Sequence, residues 1–177
     1  MRSSCADRKT RAARRYVSPR QGRALTATER ETRALCYLLK SPECPQDLVD
    51  QTATEMAHLF WTPANLIPVP DRHGDTSANR RLAAAIARHS CRSTQVYDLL
   101  GRDQTVDSSC DRHKQKDMPM TVEDHHIIRI NHKLIPFRDT YFVDNVITSG
   151  TTIAACARAL GFGTGLVFGD AYHTIPN

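Results

Sequence analysis

The chain has 177 residues, 40% hydrophobic and 24% charged, which is enough to bury one good core and too few for a large second domain. Its formal charge of +5 is uneven: residues 1–23 carry seven Arg and one Lys against Asp7, a net +7, so the remaining body is slightly acidic and a nucleic-acid-binding body is not indicated. No apolar run reaches membrane-spanning length, no secretory core precedes the six scattered cysteines (5, 36, 44, 91, 110 and 156), and no C-x-x-C pair suggests a zinc ribbon. Reduced thiols in a cytoplasmic protein without a membrane partner are the expectation, with Cys36 and Cys156 filling core space.

Residues 1–23 have little apolar content and no periodicity, so they are expected to form a disordered basic arm. Residues 24–177 are expected to form one domain, with helices in 24–61, from which any hood would have to come, and a core in 65–173. The first helix is placed at Thr26 to Lys40, with Thr28 and Glu31 at capping-box spacing and Ser41-Pro42 as its stop. From Gln46 to Phe60, the apolar stripe Val49, Ala53, Met56 and Phe60 predicts a second helix, broken at Thr62-Pro63.

Asn65 to Pro70 reads as a short strand that turns at about Asp71. Arg72, His73, Gly74 and Asp75 make a loop, and Thr76 or Ser77 can cap a helix that turns Leu82, Ala83, Ile86 and Ala87 inward. Gln95 to Leu100 is a third strand. Residues 101–120 hold almost nothing apolar, the composition of a lid or of a disordered connection, and residues 125–130 read as the far strand of a lid hairpin. On such a strand His125 and His126 point to opposite faces, which argues against a metal site.

The most informative stretch is Thr140 to Thr152. Tyr141, Phe142, Val143, Val146 and Ile147 suit a parallel strand buried on both faces. From Thr151, the apolar stripe Ile153, Ala157 and Leu160 predicts a helix ended by a left-handed Gly161. Between strand and helix, Thr148, Ser149, Gly150, Thr151 and Thr152 offer hydroxyls and backbone N–H groups at a helix N-terminus, the setting that cradles a phosphate. Asp144, at the end of the strand, can accept hydrogen bonds from a sugar diol. A phosphate and a diol together suggest a ribose 5-phosphate. A last strand, Leu166 to Phe168, delivers Asp170 and Tyr172 to the same end of the sheet. Alternating strands and helices imply an α/β fold with a parallel sheet of about four or five strands flanked by helices, plus an N-terminal helical layer.

The string VDNVITSGTT resembles the phosphoribosyl pyrophosphate (PRPP) signature of type I phosphoribosyltransferases, and PVPDRHGDTSANRRLA resembles a stretch of the ComF-like members, here without their zinc ribbon. The resemblance covers residues 65 to 173. It implies that Asp144 and Asn145 lie at the ribose and serve catalysis, that Thr148 through Thr152 wrap the 5-phosphate, and that Arg72, His73, Gly74 and Asn79 receive the pyrophosphate. Arg102, Arg112, Lys114 and Lys116 would close over it from a mobile loop, and Tyr172 would stack on a base. The family usually has a second acid where this chain has Asn145. The implied cofactor is Mg²⁺ carried by PRPP, and the implied partners are PRPP, a nucleobase-like nitrogen acceptor and a second copy in a homodimer. The alternative implied by the same resemblance is a non-catalytic PRPP sensor or DNA-uptake accessory protein that binds nucleic acid through its basic arm.

Overall fold

In the computed structural model, residues 10–91, 93–106, 120–131 and 138–172 are described. Their centre is a five-stranded, wholly parallel sheet flanked by four helices. In chain order the elements are β1 (Thr10–Arg15), α1 (Ala27–Leu38), α2 (Gln46–Ala57), β2 (Ala64–Pro68), α3 (Ser77–His89), β3 (Gln95–Val96), β4 (Leu100–Arg102), β5 (Ile127–Arg129), β6 (Asp139–Ile147), α4 (Thr151–Leu160) and β7 (Thr164–Asp170). The strands of the sheet run β1-β7-β6-β2-β3, and β4 and β5 form a separate antiparallel hairpin. The expected α/β architecture, with its N-terminal helical layer, is present.

Period-two alternation explains why both faces of the sheet are apolar. Leu66, Tyr141, Val143, Leu166 and Phe168 pack with α1, α2 and α3, whereas Ile67, Phe142 and Val167 pack with Ile153, Cys156 and Leu160 of α4. Phe142 and Phe168 are completely buried on opposite faces. At Gly163 the backbone has φ +122°, and a Cβ there would sit 2.3 Å from the Phe142 ring, so only glycine lets β7 begin this close to β6.

The strand order reverses direction between β2 and β6. The β2-α3-β3 crossover leads to one side and the β6-α4-β7 crossover to the other, and the common right-handed sense of such crossovers places α3 and α4 on opposite faces. The loops after β2 and β6 therefore part at the C-terminal ends of two neighbouring strands, leaving a crevice.

The capping box of α1 is Thr26 with Glu29 rather than Thr28 with Glu31. Thr26 accepts from the Glu29 N–H at 3.2 Å and Glu29 accepts from the Thr26 N–H at 3.0 Å. The larger correction concerns the basic arm. From Thr10 onward it is ordered, and β1 lies parallel to β7 at the sheet edge. Ala12 joins the core, while the Arg14 guanidinium binds Glu55 at 2.8 and 2.6 Å and Glu31 at 3.1 Å and lies over the Phe168 ring. Arg11 lies over the Tyr141 ring. Acids on α1 and α2 thus compensate the arginines, and pairing with β7 overrides the weak intrinsic strand preference of TRAARR. Removal of residues 1–15 is expected to destabilise the fold by about 3 kcal/mol or more, read as a lower urea midpoint; an unchanged midpoint would show that β1 contributes nothing.

Candidate functional site

Each loop at the crevice is shaped by its own short-range bonds. After β2, the Asp71 carboxylate accepts from the backbone N–H of His73 at 2.8 Å and of Asp75 at 2.9 Å, and Gly74, at φ +87°, lets the chain fold back on itself. Thr76 stands at the cap position of α3 without a side-chain bond, and Asp75 does the capping: it accepts from the Ser77 N–H at 2.9 Å and the Ser77 hydroxyl at 2.5 Å. These bonds hold the Asp75 carboxyl below its ordinary pKa. After β6, Gly150 takes φ +85° as the cap of α4, and the Ser149 and Thr151 hydroxyls lie 2.8 Å apart.

The loop after β2, the end of β6 and the first turn of α4 wall a cavity of about 840 Å³. From the β2 side come Asp71, Arg72, Asp75 and Asn79, from β6 Asp144 and Asn145, from α4 Thr152, and from the remaining elements Lys40, Arg81, Arg102 and His125. Asn79 spans the strand reversal: its amide donates to the Val69 carbonyl at 2.8 Å and to Asp144 Oδ1 at 3.3 Å. Asp144 Oδ1 also accepts from the Asn145 N–H at 2.8 Å, and Oδ2 takes part in none of these bonds. Burial pushes the Asp144 carboxyl above its ordinary pKa, opposed by Lys40, the two amide donors and Arg102.

The cleft therefore gathers Asp144, Asn145, Thr152, Arg72, Asn79 and Arg102 from three regions of the chain. Thr148, Ser149, Gly150 and Thr151 form the turn leading into α4 beside it, and His73 accepts a bond from Arg72 Nε at 2.9 Å. Arg112, Lys114 and Lys116 lie outside the described residues. Three expectations need correction.

Arg102 is not on a mobile loop. It ends β4, and its guanidinium donates to the carbonyls of Pro70 at 3.4 Å, Asp71 at 2.5 Å and His125. Burial lowers its pKa, and its charge still reaches Asp144. Arg102 is thus a strut between the β2 loop and the hairpin.

The Asn145 side chain is 2% exposed and donates to the Cys36 carbonyl of α1, because alternation along β6 turns it away from Asp144. Its amide therefore anchors a helix. Tyr172 is 57% exposed, its backbone N–H bonded to Asp170 at 2.8 Å, and it is not among the residues of the cavity wall.

Sequence reasoning overlooked Lys40, just beyond α1, whose charge is the largest one acting on Asp144, and it misplaced His125. His125 ends a 3-10 turn, Glu123–His125, and His126 follows in the left-handed conformation, so the pair does not alternate on a strand. The polar spacing of TVEDHH, with the Thr121 and Asp124 side chains bonded to each other's N–H groups, was the available signal for a turn. Cys36, pushed up to about 12 by burial, and the equally buried Cys156 are core thiols rather than nucleophiles.

Comparison of the chain with protein-family profiles and with curated proteins finds no match. Among the described residues no helix is long and apolar enough to cross a membrane, and no cluster of three or more His, Cys, Asp or Glu side chains could hold a metal by itself.

Two outcomes follow from this geometry. Folding favours the protonated Asp144, so its contribution to stability is greatest at low pH and declines as pH rises from the unfolded carboxyl value of about 3.9 through the raised folded value. Asp144→Asn, which keeps an oxygen acceptor, is expected to raise the thermal midpoint at pH 7 by about 2–4 °C, with the gain shrinking towards pH 4. Asn145→Asp, which restores the acid usual in the resembled motif, is expected instead to cost about 3 kcal/mol in denaturant unfolding, because it replaces the donor to Cys36 with a buried charge.

Proposed function

We propose that this chain is a phosphoribosyltransferase that binds PRPP as its magnesium complex and transfers the phosphoribosyl group to a nitrogen acceptor, with release of pyrophosphate. The observation that carries this reading is the meeting, at one strand reversal, of two stretches that the sequence holds far apart: Asp144 with Thr152 at the start of α4, and Arg72 of the β2 loop with Asn79 of α3. Open α/β sheets bind their ligands at such a reversal.

In this reading the 5-phosphate rests on the turn ahead of α4, where N–H groups and hydroxyls meet the positive end of the helix. Asp144 accepts from the ribose hydroxyls, and Arg72 with the N–H groups of the Asp71–Asp75 loop receives the pyrophosphate. The acceptor nitrogen forms its bond to the ribose C1 as the C1–oxygen bond breaks and pyrophosphate departs with the electron pair. Positive charge accumulates on the ribose along the way, and the Asp144 carboxylate opposes it in a partly desolvated setting. The carboxylates of Asp71 and Asp144 are hard oxygen donors of the kind that suits magnesium, and an ion held mainly by substrate phosphates needs only one or two of them. When bound, that ion neutralises the leaving pyrophosphate.

Asn145 favours a second reading. With its amide committed to Cys36, Asp144 is the one acid of the β6 end in the cleft wall, as suits a PRPP sensor that binds without turnover.

Calorimetric titration with PRPP, with and without Mg²⁺, tests both readings. Micromolar binding is expected for the unaltered chain, weakened about 100-fold or more in the Asp144→Ala, Thr151→Ala double variant. Equal affinity in both proteins overturns the assignment of the pocket. Pyrophosphate release across a panel of nitrogen bases then separates enzyme from sensor.

A further inference from the structure

His125 lies outside every role assigned above, yet it stands where three walls of the cleft join. It is 3% exposed, and it enters from the 3-10 turn that precedes β5. Its backbone carbonyl accepts from Arg102, the strut of the β2 loop. Its Nε2 lies 2.9 Å from the Thr151 hydroxyl, which in turn lies 2.8 Å from the Ser149 hydroxyl. On the outer side, Glu123 of the same turn pairs with Arg158 of α4. One imidazole thus links the hairpin to the first turn of α4.

The tautomer of His125 decides the direction of this bond, and only one direction suits an anion at Thr151. A threonine hydroxyl has one proton to donate and two lone pairs with which to accept. If Nε2 accepted from Thr151, that single proton would be consumed behind the wall and the hydroxyl could offer an anion nothing. If Nε2–H donates, it fills one lone pair, Ser149 can fill the other, and the Thr151 proton is left to donate to an oxyanion. Resting on the phosphoribosyl reading, we propose that His125 is a positioning residue for the phosphate turn, its Nε2–H donating to Thr151 so that the Thr151 hydroxyl donates to the 5-phosphate of the ligand. His125 itself touches neither the ribose nor the pyrophosphate in this scheme.

The test is titration of the full chain with ribose 5-phosphate and, separately, with Mg²⁺-pyrophosphate, for the unaltered protein and for His125→Leu, His125→Gln and Thr151→Val. His125→Leu is expected to weaken ribose 5-phosphate binding about tenfold, the size of one hydrogen bond to a charged group, and to leave pyrophosphate affinity within about twofold. His125→Gln, whose amide places an N–H near the position of Nε2, is expected to recover most of the loss. Thr151→Val deletes both the link and the phosphate contact itself, so it sets the full size of the loss, and His125→Leu should approach that loss while His125→Gln stays near the unaltered protein. Unaltered binding of ribose 5-phosphate by His125→Leu, or equal loss of both ligands without rescue by Gln, overturns the positioning role alone. An unaltered chain that binds neither ligand overturns the phosphoribosyl reading, and the role of His125 with it.

Discussion

The bond between Asn79 and Asp144 crosses the place where the sheet changes direction, and most of the cleft follows from that change. Neighbouring strands whose crossovers leave on opposite faces cannot cover their shared C-terminal end with helix, so backbone and polar side chains are exposed there to each other and to a ligand. Asn79 holds the two lips together by giving one amide nitrogen to Val69 beyond β2 and to Asp144 on β6. The carboxylate is thereby fixed by two N–H donors while its burial opposes ionisation. Strain of this electrostatic kind is expected where a group is kept for chemistry rather than for stability.

Consecutive residues of β6 divide the work. Asp144 faces the cleft and Asn145 faces α1, since a strand cannot turn two neighbouring side chains the same way. The tie from Asn145 to Cys36 fixes the end of α1, and with it Lys40, whose charge offsets the desolvation of Asp144. Arg102 plays the matching part on the opposite rim. Its three carbonyl bonds fasten the β2 loop to the hairpin, so a cation that composition assigns to a loose segment is spent on rigidity.

The parallel sheet, its flanking helices, the left-handed glycine that ends α4 and the two polar loops were legible because each leaves a local mark: the unbroken apolar run of Tyr141, Phe142 and Val143, the 3.6-residue stripe after Thr151, and glycine with hydroxyl residues between them. The grouping of Asp144, Asn79 and Arg72 was implied by the resemblance of two short motifs to a known family, not by periodicity or spacing. What stayed illegible was decided by tertiary contact. TRAARR carries no strand signal of its own and becomes β1 only because β7 pairs with it and Glu55 and Glu31 receive Arg14. The burial of His125 and the direction of the Asn145 amide depend on partners more than 20 residues away, which no local pattern records.

The place of β1 also bears on how the chain reaches its fold. The earliest of the described strands lies in register with the latest, Thr10 opposite Gly165 and Arg15 opposite Asp170, so this edge of the sheet closes only across nearly the whole length of the chain. Contacts of such wide sequence separation carry the loop-closure entropy that slows folding, and during synthesis β1 would have to wait for β7 to emerge. Until then Ala12, Tyr16 and Val17, all buried in the folded protein, have no sheet to lie against and stay exposed to water.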